Sequence, residues 1–207
     1  MLACPDNENV AHRAEVAFVN CVERTHPLAF GFRRFFAFSF FIDPLSEVPR
    51  NWTLFSQVWQ FTARLSPPFE LGLRMGQPSE PFVLQFKVRN DPEEEKIFFE
   101  QAVMKGVWHR IVFELLPAHV GGQSPGRLSV WLGETAGPVS EAPIARYEGF
   151  WGYKPGPTKR GRLPQRCEHD AYDLFELRFG IYRRKQERRL RMLFDNIVYA
   201  DSFQAAR

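Results

Sequence analysis

Cysteines and long apolar segments are scarce in this 207-residue sequence. The three cysteines, Cys4, Cys21 and Cys167, are too few and too scattered to predict a disulfide framework or a zinc site. No stretch of about 18 apolar residues is present, which excludes a transmembrane helix. Residues 1–4 are followed at once by polar residues, without the charged and apolar regions of a signal peptide, so none is predicted.

The sequence also lacks a strong excess of charge of one sign. The formal net charge is +3, which gives no reason to predict a nucleic-acid partner. The charges are uneven, however, because residues 183–191 are rich in Arg and Lys and residues 91–96 are acidic. A local basic face can bind a polyanion, but such runs are also typical of solvated hairpin tips, and both interpretations stay open.

Several motifs of common enzyme classes are absent. There is no GxSxG, HExxH, P-loop or GxGxxG motif, and the five histidines lack the spacing of metal ligands. The paired carboxylates of a retaining glycosidase strand are also missing. Residues 91–95 lack the spaced oxygen ligands of a calcium loop, so no cofactor or metal is predicted, although a structural calcium stays open.

Phenylalanine and turn-forming residues are abundant. Phe makes up 21 of the aromatic residues, while 16 prolines and 14 glycines divide the chain into short segments. These features predict one all-β domain over 1–207 with two packed antiparallel sheets, a sandwich or a jelly roll. The predicted strands are 13–19, 34–42, 53–61, 69–75, 81–90, 96–102, 108–116, 127–132, 175–183 and 190–199. A short helix within 91–101 is an alternative, and 136–166 is predicted to be mostly loop.

Alternation along 81–90 separates a core face from a polar face. The predicted polar face includes Gln85, Lys87 and Arg89, side chains that suit the carboxylates and hydroxyls of a sugar chain. An ordinary solvated face is the alternative interpretation.

Alternation along 175–183 predicts Arg178 and Tyr182 on one face, about 13 Å apart, while Leu177, Phe179 and Ile181 face the core. Gly180 lies between them and has no side chain, so another group can approach the backbone closely at this position. Tyrosine can transfer protons, although Tyr182 is equally compatible with a rim position without a role.

Two further strands have polar residues on a defined face. Arg13 and Glu15 share one face, either as part of a site or as a simple surface ion pair. Gln57 and Gln60 point to opposite faces, so at most one of them lines a groove.

Eight segments, in order along nearly the whole chain, resemble heparin-lyase-I-like and glucuronan-lyase-like polysaccharide lyases. These families have motifs similar to those of alginate lyases. They are HRAEV (12–16), FFAFSFFI (35–42), TLFSQVWQ (53–60), PPFELGL (67–73), VWHRIVF (107–113), GRLSVWL (126–132), FGIYR (179–183) and FDNIVY (194–199). The resemblance implies a concanavalin-like jelly roll with a substrate groove on its concave sheet. It also implies cleavage of a uronic-acid polysaccharide by β-elimination, leaving a 4,5-unsaturated uronate end.

By position, Tyr182 matches the catalytic tyrosine of these lyases, Arg178 a basic residue four positions earlier, and Arg13 the arginine of an R-x-E strand. Gln60 falls where many relatives have the histidine of a Q-W-H motif. Glutamine cannot take a proton at neutral pH. It can bind a carboxylate and leave Tyr182 as both base and acid, or its presence can mean lost activity.

Two alternatives concern this position. Gln57 is an alternative match for the relatives' glutamine, and His12 or His109 is an alternative source of the missing histidine.

The first function hypothesis is therefore a monomeric, endo-acting polysaccharide lyase, secreted or periplasmic as the resemblance implies, with an acidic polysaccharide as partner and no nucleic acid or membrane. Its candidate catalytic residues are Arg13, Gln60, Arg178 and Tyr182. Its candidate sugar-binding residues are Glu15, Gln57, Gln85, Lys87, Arg89 and Arg183. The alternatives are a non-catalytic carbohydrate-binding module on the same fold and, more weakly, an interaction domain that uses the basic hairpin 183–191.

Overall fold

A computed structural model describes residues 11–18, 28–60, 66–91, 93–134, 139–154 and 175–207. Within them, eleven strands and one short helix follow one another along the chain. They are β1 (Ala11–Phe18), β2 (Arg34–Ile42), β3 (Thr53–Gln60), β4 (Phe69–Leu73), β5 (Phe82–Asp91), β6 (Glu94–Val103), β7 (Trp108–Leu116), β8 (Gly126–Gly133), β9 (Ala145–Gly149), β10 (Phe175–Arg184), β11 (Met192–Ala200) and α1 (Phe203–Ala206). All three cysteines lie outside the described residues.

The strands form two antiparallel sheets. The six-stranded sheet has the order β1-β10-β3-β4-β5-β6, and the five-stranded sheet has the order β11-β2-β7-β8-β9. The predicted all-β sandwich is therefore confirmed, and β2 and β7 have the predicted bounds. No helix in the described ranges is long and apolar enough to cross a membrane.

Phenylalanines fill the space between the two sheets. Phe36, Phe38 and Phe40 alternate inward along β2 and are fully buried. Phe38 meets Phe55 of β3 edge-on, with ring centroids 6.3 Å apart, and stacks on Phe179 of β10 at 6.4 Å. Because large aromatic side chains bury much apolar area, this layer stabilises the sandwich and fixes which face of β3 and β10 points outward.

Strand β2 is buried on both faces, as its almost continuous apolar sequence indicates. Phe35 and Ala37, on the outer face, are buried in a second cluster with Trp131 and with Ala206 of α1. The ring of Phe203 lies 4.6 Å from that of Trp131. The short helix therefore covers an apolar patch that would otherwise face solvent.

The alternative of a short helix within 91–101 is wrong. The described residues of this segment contain no helix, because β5 and β6 form a hairpin in which Asp91 pairs with Glu94 and Phe86 pairs with Phe99. Phe99 packs against the core, which a strand permits and a solvated helix would not. Of the segment 136–166, predicted to be mostly loop, residues 139–154 are described. They include β9, a short edge strand that pairs with β8 and whose alternation is too brief to detect.

Candidate functional site

A groove of about 590 Å³ lies on the outer face of the six-stranded sheet. The core side of this sheet is apolar, since Phe82, Leu84, Phe86 and Val88 of β5 are buried as predicted. The groove is lined mostly by charged, amide and aromatic side chains, which come from all six strands of the sheet and the adjoining loops. The lining residues are Arg13, Trp52, Leu54, Gln57, Trp59, Ser66, Pro67, Glu70, Lys87, Arg89, Glu95, Arg178 and Tyr182.

Strand register aligns these residues in rows across the sheet. Arg13 pairs with Tyr182, which in turn pairs with Leu54. Arg178 pairs with Gln57 in a second row, and this row continues through Glu70 to Lys87. The groove therefore crosses the strands from β1 towards β6.

Two register shifts, one between β10 and β3 and one between β3 and β4, interrupt the regular alternation of side chains near these rows. Between Phe179 and Tyr182, β10 has one residue more than its partner β3, and β3 has an extra residue opposite β4 between Leu54 and Ser56. As a result, Leu54 and Gln57 both line the groove although they are three positions apart. A regular strand would turn them to opposite faces.

Gly180 lies in this irregular region with φ of 121°. A Cβ atom there would lie 2.2 Å from the carbonyl oxygen of Ala14 and 2.8 Å from Cα of Glu15. The predicted close approach to the backbone at Gly180 is therefore made by strand β1. The glycine also leaves an open path between Glu15 on β1 and the side chains of β3.

The ring of Tyr182 is enclosed by two side chains. The guanidinium carbon of Arg13 lies 4.9 Å from the ring centroid. Trp52 meets the ring edge-on, with centroids 4.9 Å apart and an interplanar angle of 68°. Contacts of these kinds stabilise by about 0.5–1.5 kcal/mol each and restrict the orientation of the phenol.

Glu15 connects Arg13 to Gln57. Its Oε2 lies 2.6 Å from Nε of Arg13, and its Oε1 accepts a hydrogen bond of 2.6 Å from Nε2 of Gln57. The Glu15 side chain is only 3% exposed, so these interactions are screened weakly by water. Glu15 therefore fixes the positions of both groups beside Tyr182.

Trp59 and Arg178 form the neighbouring part of the groove. The guanidinium carbon of Arg178 lies 4.9 Å from the centroid of the Trp59 ring, and its Nε pairs with the Glu176 carboxylate. The groove therefore holds a delocalised cation next to an aromatic ring at two places, Arg13 at Tyr182 and Arg178 at Trp59.

The β4–β6 side of the groove holds a network of ion pairs. Arg89 pairs with Glu70 at 2.7 Å and also with Glu95, while Nζ of Lys87 lies 2.8 Å from Glu95. Burial raises the pKa of the Glu70 carboxyl above its usual value, and the neighbouring Arg89 only partly offsets this effect.

Six of the predicted site residues meet in the groove: Arg13, Gln57, Lys87, Arg89, Arg178 and Tyr182. Gln57 and Gln60 do point to opposite faces, as predicted. Glu15 lies beside the lining side chains and holds two of them.

The structure does not place Gln60 in the groove, so its assignment to the site is corrected. Its side chain is buried at 2% exposure, donates to the carbonyl of Tyr153 and accepts from the Tyr153 amide. Tyr153 is itself buried, and burial raises its pKa to about 12. Gln60 is therefore a structural connector between β3 and the segment that follows β9.

Two further candidates also lie outside the groove lining. Gln85 shares the outer face of β5 but donates to Glu100 at 2.7 Å. Arg183 donates to the carbonyl of Arg188 within the basic hairpin, and burial lowers its pKa. Strand alternation turns Arg183 to the side of β10 opposite Tyr182.

Neither proposed substitute histidine reaches the site. His12 is adjacent to Arg13 on β1, so its side chain lies on the opposite face of the strand. His109 lies in the other sheet, stacked on Phe40, with Nε2 2.9 Å from the carbonyl oxygen of Met104. Among the described residues, no histidine lines the groove and no group of three potential metal ligands occurs.

Sequence reasoning missed several lining residues, including Trp52, Trp59, Glu70 and Glu95. Trp59 was detectable, because it lies two positions from Gln57 and must share its face. Glu70 and Glu95 come from strands whose register against β5 cannot be obtained from alternation alone.

No protein-family model matches the chain, and no curated protein matches its sequence. Among solved structures, it is similar to the alginate lyase Aly36B, with a TM-score of 0.54 and 11% identity over 82% of this chain and 70% of that one. It is also similar to an alginate lyase from Pseudomonas aeruginosa (TM-score 0.48, 12% identity, 83% of this chain and 67% of that chain).

A third similar structure is the CBM2 module of the evolved Dit protein of Lactobacillus casei BL23 phage J-1 (TM-score 0.45, 7% identity). It is matched over 82% of this chain and 61% of that chain. At 11% identity, the likeness to Aly36B shows the fold alone. It confirms the jelly roll, while the narrower resemblance to heparin lyase I and glucuronan lyases stays a prediction.

Proposed function

We propose that this protein is a polysaccharide lyase that cleaves a uronic-acid-containing chain in the groove of the six-stranded sheet. The observation that supports this proposal most strongly is the cluster of Arg13, Gln57 and Tyr182 around the buried Glu15 carboxylate. A guanidinium, an amide and a phenol in one open groove are the groups that β-elimination requires.

Arg13 and Gln57 act on the uronate carboxylate in this proposal. Removal of the proton at C5 places negative charge on the carbon and, by delocalisation, on the carboxylate. A nearby guanidinium and an amide donor stabilise that charge as it develops, which lowers the barrier. Glu15 keeps both groups in position before the substrate arrives.

Tyr182 moves the protons. Its hydroxyl oxygen takes the C5 proton, the C5–H electron pair forms the C4–C5 double bond, and the C4–O bond breaks. In the same step the hydroxyl's own proton passes to the leaving oxygen, so Tyr182 ends in the state in which it began. One residue can perform both transfers when the proton and the leaving group lie on the same side of the sugar ring.

The test is the ultraviolet absorbance of the C4–C5 double bond conjugated with the carboxylate, measured on alginate, glucuronan, heparin, hyaluronan and pectate. The proposal predicts that at least one substrate gives the unsaturated product and that Tyr182→Phe abolishes its formation while the variant still binds the chain. Binding by the wild type without any unsaturated product would exclude the lyase.

A second candidate function is non-catalytic binding of a carbohydrate chain in the same groove. The observation that favours it is the aromatic lining by Trp52 and Trp59 together with the lack of a described histidine beside Tyr182. This candidate predicts that Tyr182→Phe leaves affinity unchanged and that Trp59→Ala lowers it, since aromatic faces supply contact area. Product formation separates the two functions, because the lyase predicts an unsaturated product from a chain that the wild type binds and the binding module predicts none.

A further inference from the structure

The two sides of the groove differ in how their cations are compensated. On the β1–β10–β3 side, Glu15 bonds to Nε of Arg13, and the Nη atoms of Arg13 bond to no other described residue. The Nη atoms of Arg178 likewise have no described partner, because its ion pair with Glu176 uses Nε. Guanidinium groups that retain free N–H donors can bind a uronate carboxylate.

The β4–β6 side likewise pairs two cations with two carboxylates, but here both Nη atoms of Arg89 are already occupied. Arg89 donates through Nη1 to Glu70 and to the carbonyl of Pro67, and through Nη2 to Glu95. Lys87 shares the Glu95 carboxylate. The side chains of Lys87 and Arg89 are only 18% and 10% exposed, so they are held in this network.

A second uronate on this side would meet two resident carboxylates. To reach Arg89 or Lys87 it must displace Glu70 or Glu95, and the displaced carboxylate would stay beside it in a partly dehydrated groove. Like charges in such surroundings repel, and a cation pair that is already formed gives little additional attraction. A neutral sugar avoids this repulsion and can use the same carboxylates as acceptors for its hydroxyl groups.

We propose that the β4–β6 side of the groove binds a neutral sugar, so that the substrate is a chain in which uronate and neutral sugars alternate and not a continuous polyuronate. This inference rests on the proposed function for the identity of the ligand as a uronate-containing chain. It narrows the expectation that Lys87 and Arg89 bind neighbouring sugars, because it makes the sugar at this position a neutral one.

The test measures binding with the Tyr182→Phe variant, so that cleavage does not affect the result. The probes are glucuronan oligosaccharides and, at equal length, oligosaccharides of hyaluronan and of unsulfated chondroitin, which alternate glucuronate with an N-acetylated neutral sugar. At fixed ionic strength, at least one alternating chain is expected to bind about tenfold more tightly than glucuronan.

Adding Glu95→Gln releases Lys87 and Arg89 from one charged partner. It is expected to strengthen glucuronan binding about tenfold and so to narrow the affinity ratio between the alternating chain and glucuronan. Glu95 is exposed, so this change does not threaten folding. Glu100→Gln is the matched control, because Glu100 is an exposed β6 carboxylate outside the groove lining, and it should leave the ratio unchanged.

Two results would overturn the inference. One is glucuronan binding as tightly as both alternating chains, and the other is an affinity ratio that Glu95→Gln does not alter. Neither result depends on whether the wild type forms an unsaturated product, so failure of the inference is distinguishable from failure of the proposed lyase activity.

Discussion

Arg13 and Tyr182 face each other across the β1–β10 pair, with the guanidinium carbon 4.9 Å from the centre of the phenol ring. Glu15, two residues along β1, holds the same guanidinium and also the amide of Gln57. Strand β1 is therefore part of the site and not merely the edge of the sheet.

Glu15 and Gln57 should be energetically coupled. Because Glu15 accepts a hydrogen bond from Gln57 in a dehydrated position, removing either partner removes the same interaction. A double-mutant cycle with Glu15→Ala and Gln57→Ala is expected to give a coupling of about 1–2 kcal/mol in the free energy of unfolding. Urea denaturation of the four proteins measures it, and additive losses would show that the contact is not formed in solution.

Gly180→Ala should destabilise the protein more than a surface glycine substitution. A Cβ would clash with the backbone of β1, and φ of 121° is unfavourable for alanine. The expected loss is about 2–4 kcal/mol in the free energy of unfolding.

Gly31→Ala is the matched control for this change. Gly31 also has a positive φ, but a Cβ there would have no heavy atom within 4 Å, so a loss of only about 1 kcal/mol is expected. Equal losses for the two variants would contradict the close approach of β1.

Gln60→Leu should affect stability and not catalysis. The change leaves the buried amide and carbonyl of Tyr153 without their side-chain partner, which costs about 2–4 kcal/mol. At a temperature where the variant is folded, its turnover should match the wild type, whereas Gln57→Leu should lower turnover. A loss of turnover in folded Gln60→Leu would restore Gln60 to the site.

The pKa of Glu70 predicts how binding changes with pH. Because burial raises this pKa above 4.5, Glu70 takes up a proton at a higher pH than an ordinary glutamate. Below its pKa the residue is neutral, and Arg89 loses one of its two carboxylate partners. The affinity for glucuronan should therefore rise as the pH falls through the range above 4.5, as long as the uronates stay ionised.

Glu70→Gln is the control for the pH experiment, since it removes the titrating group and keeps a polar side chain. The rise in affinity over that range should be absent in this variant. Isothermal titration calorimetry at matched ionic strength gives both curves, and identical pH dependence in the two proteins would assign the effect to another group.

The sequence predicts most of the fold because periodicity in this chain is strong. In β2 the alternation of phenylalanines identifies a strand directly, and in β5 the polar face containing Lys87 is evident from the sequence. The same alternation assigns Arg13, Arg178 and Tyr182 to a face of their strands, which depends only on the local pattern of one strand. The resemblance to polysaccharide lyases is what selects them as site residues.

The remaining features of the site depend on pairing between strands. The extra residue in β3 places Gln57 in the groove and leaves Gln60 behind the sheet, and no local pattern marks that irregularity. The contact of Arg89 with Glu70 and Glu95 requires the register of β4, β5 and β6. Alternation can assign a face to each residue, but it cannot determine which charge lies opposite which.

The most direct measurement is the initial rate of unsaturated-product formation by the wild type, Tyr182→Phe and the control Tyr147→Phe, on the substrate that the wild type cleaves best. Tyr147 lies on β9 in the other sheet, outside the groove lining. We expect Tyr182→Phe to lower turnover at least about 100-fold and Tyr147→Phe to leave it within about twofold. Comparable turnover in Tyr182→Phe and the wild type would contradict the proposed mechanism.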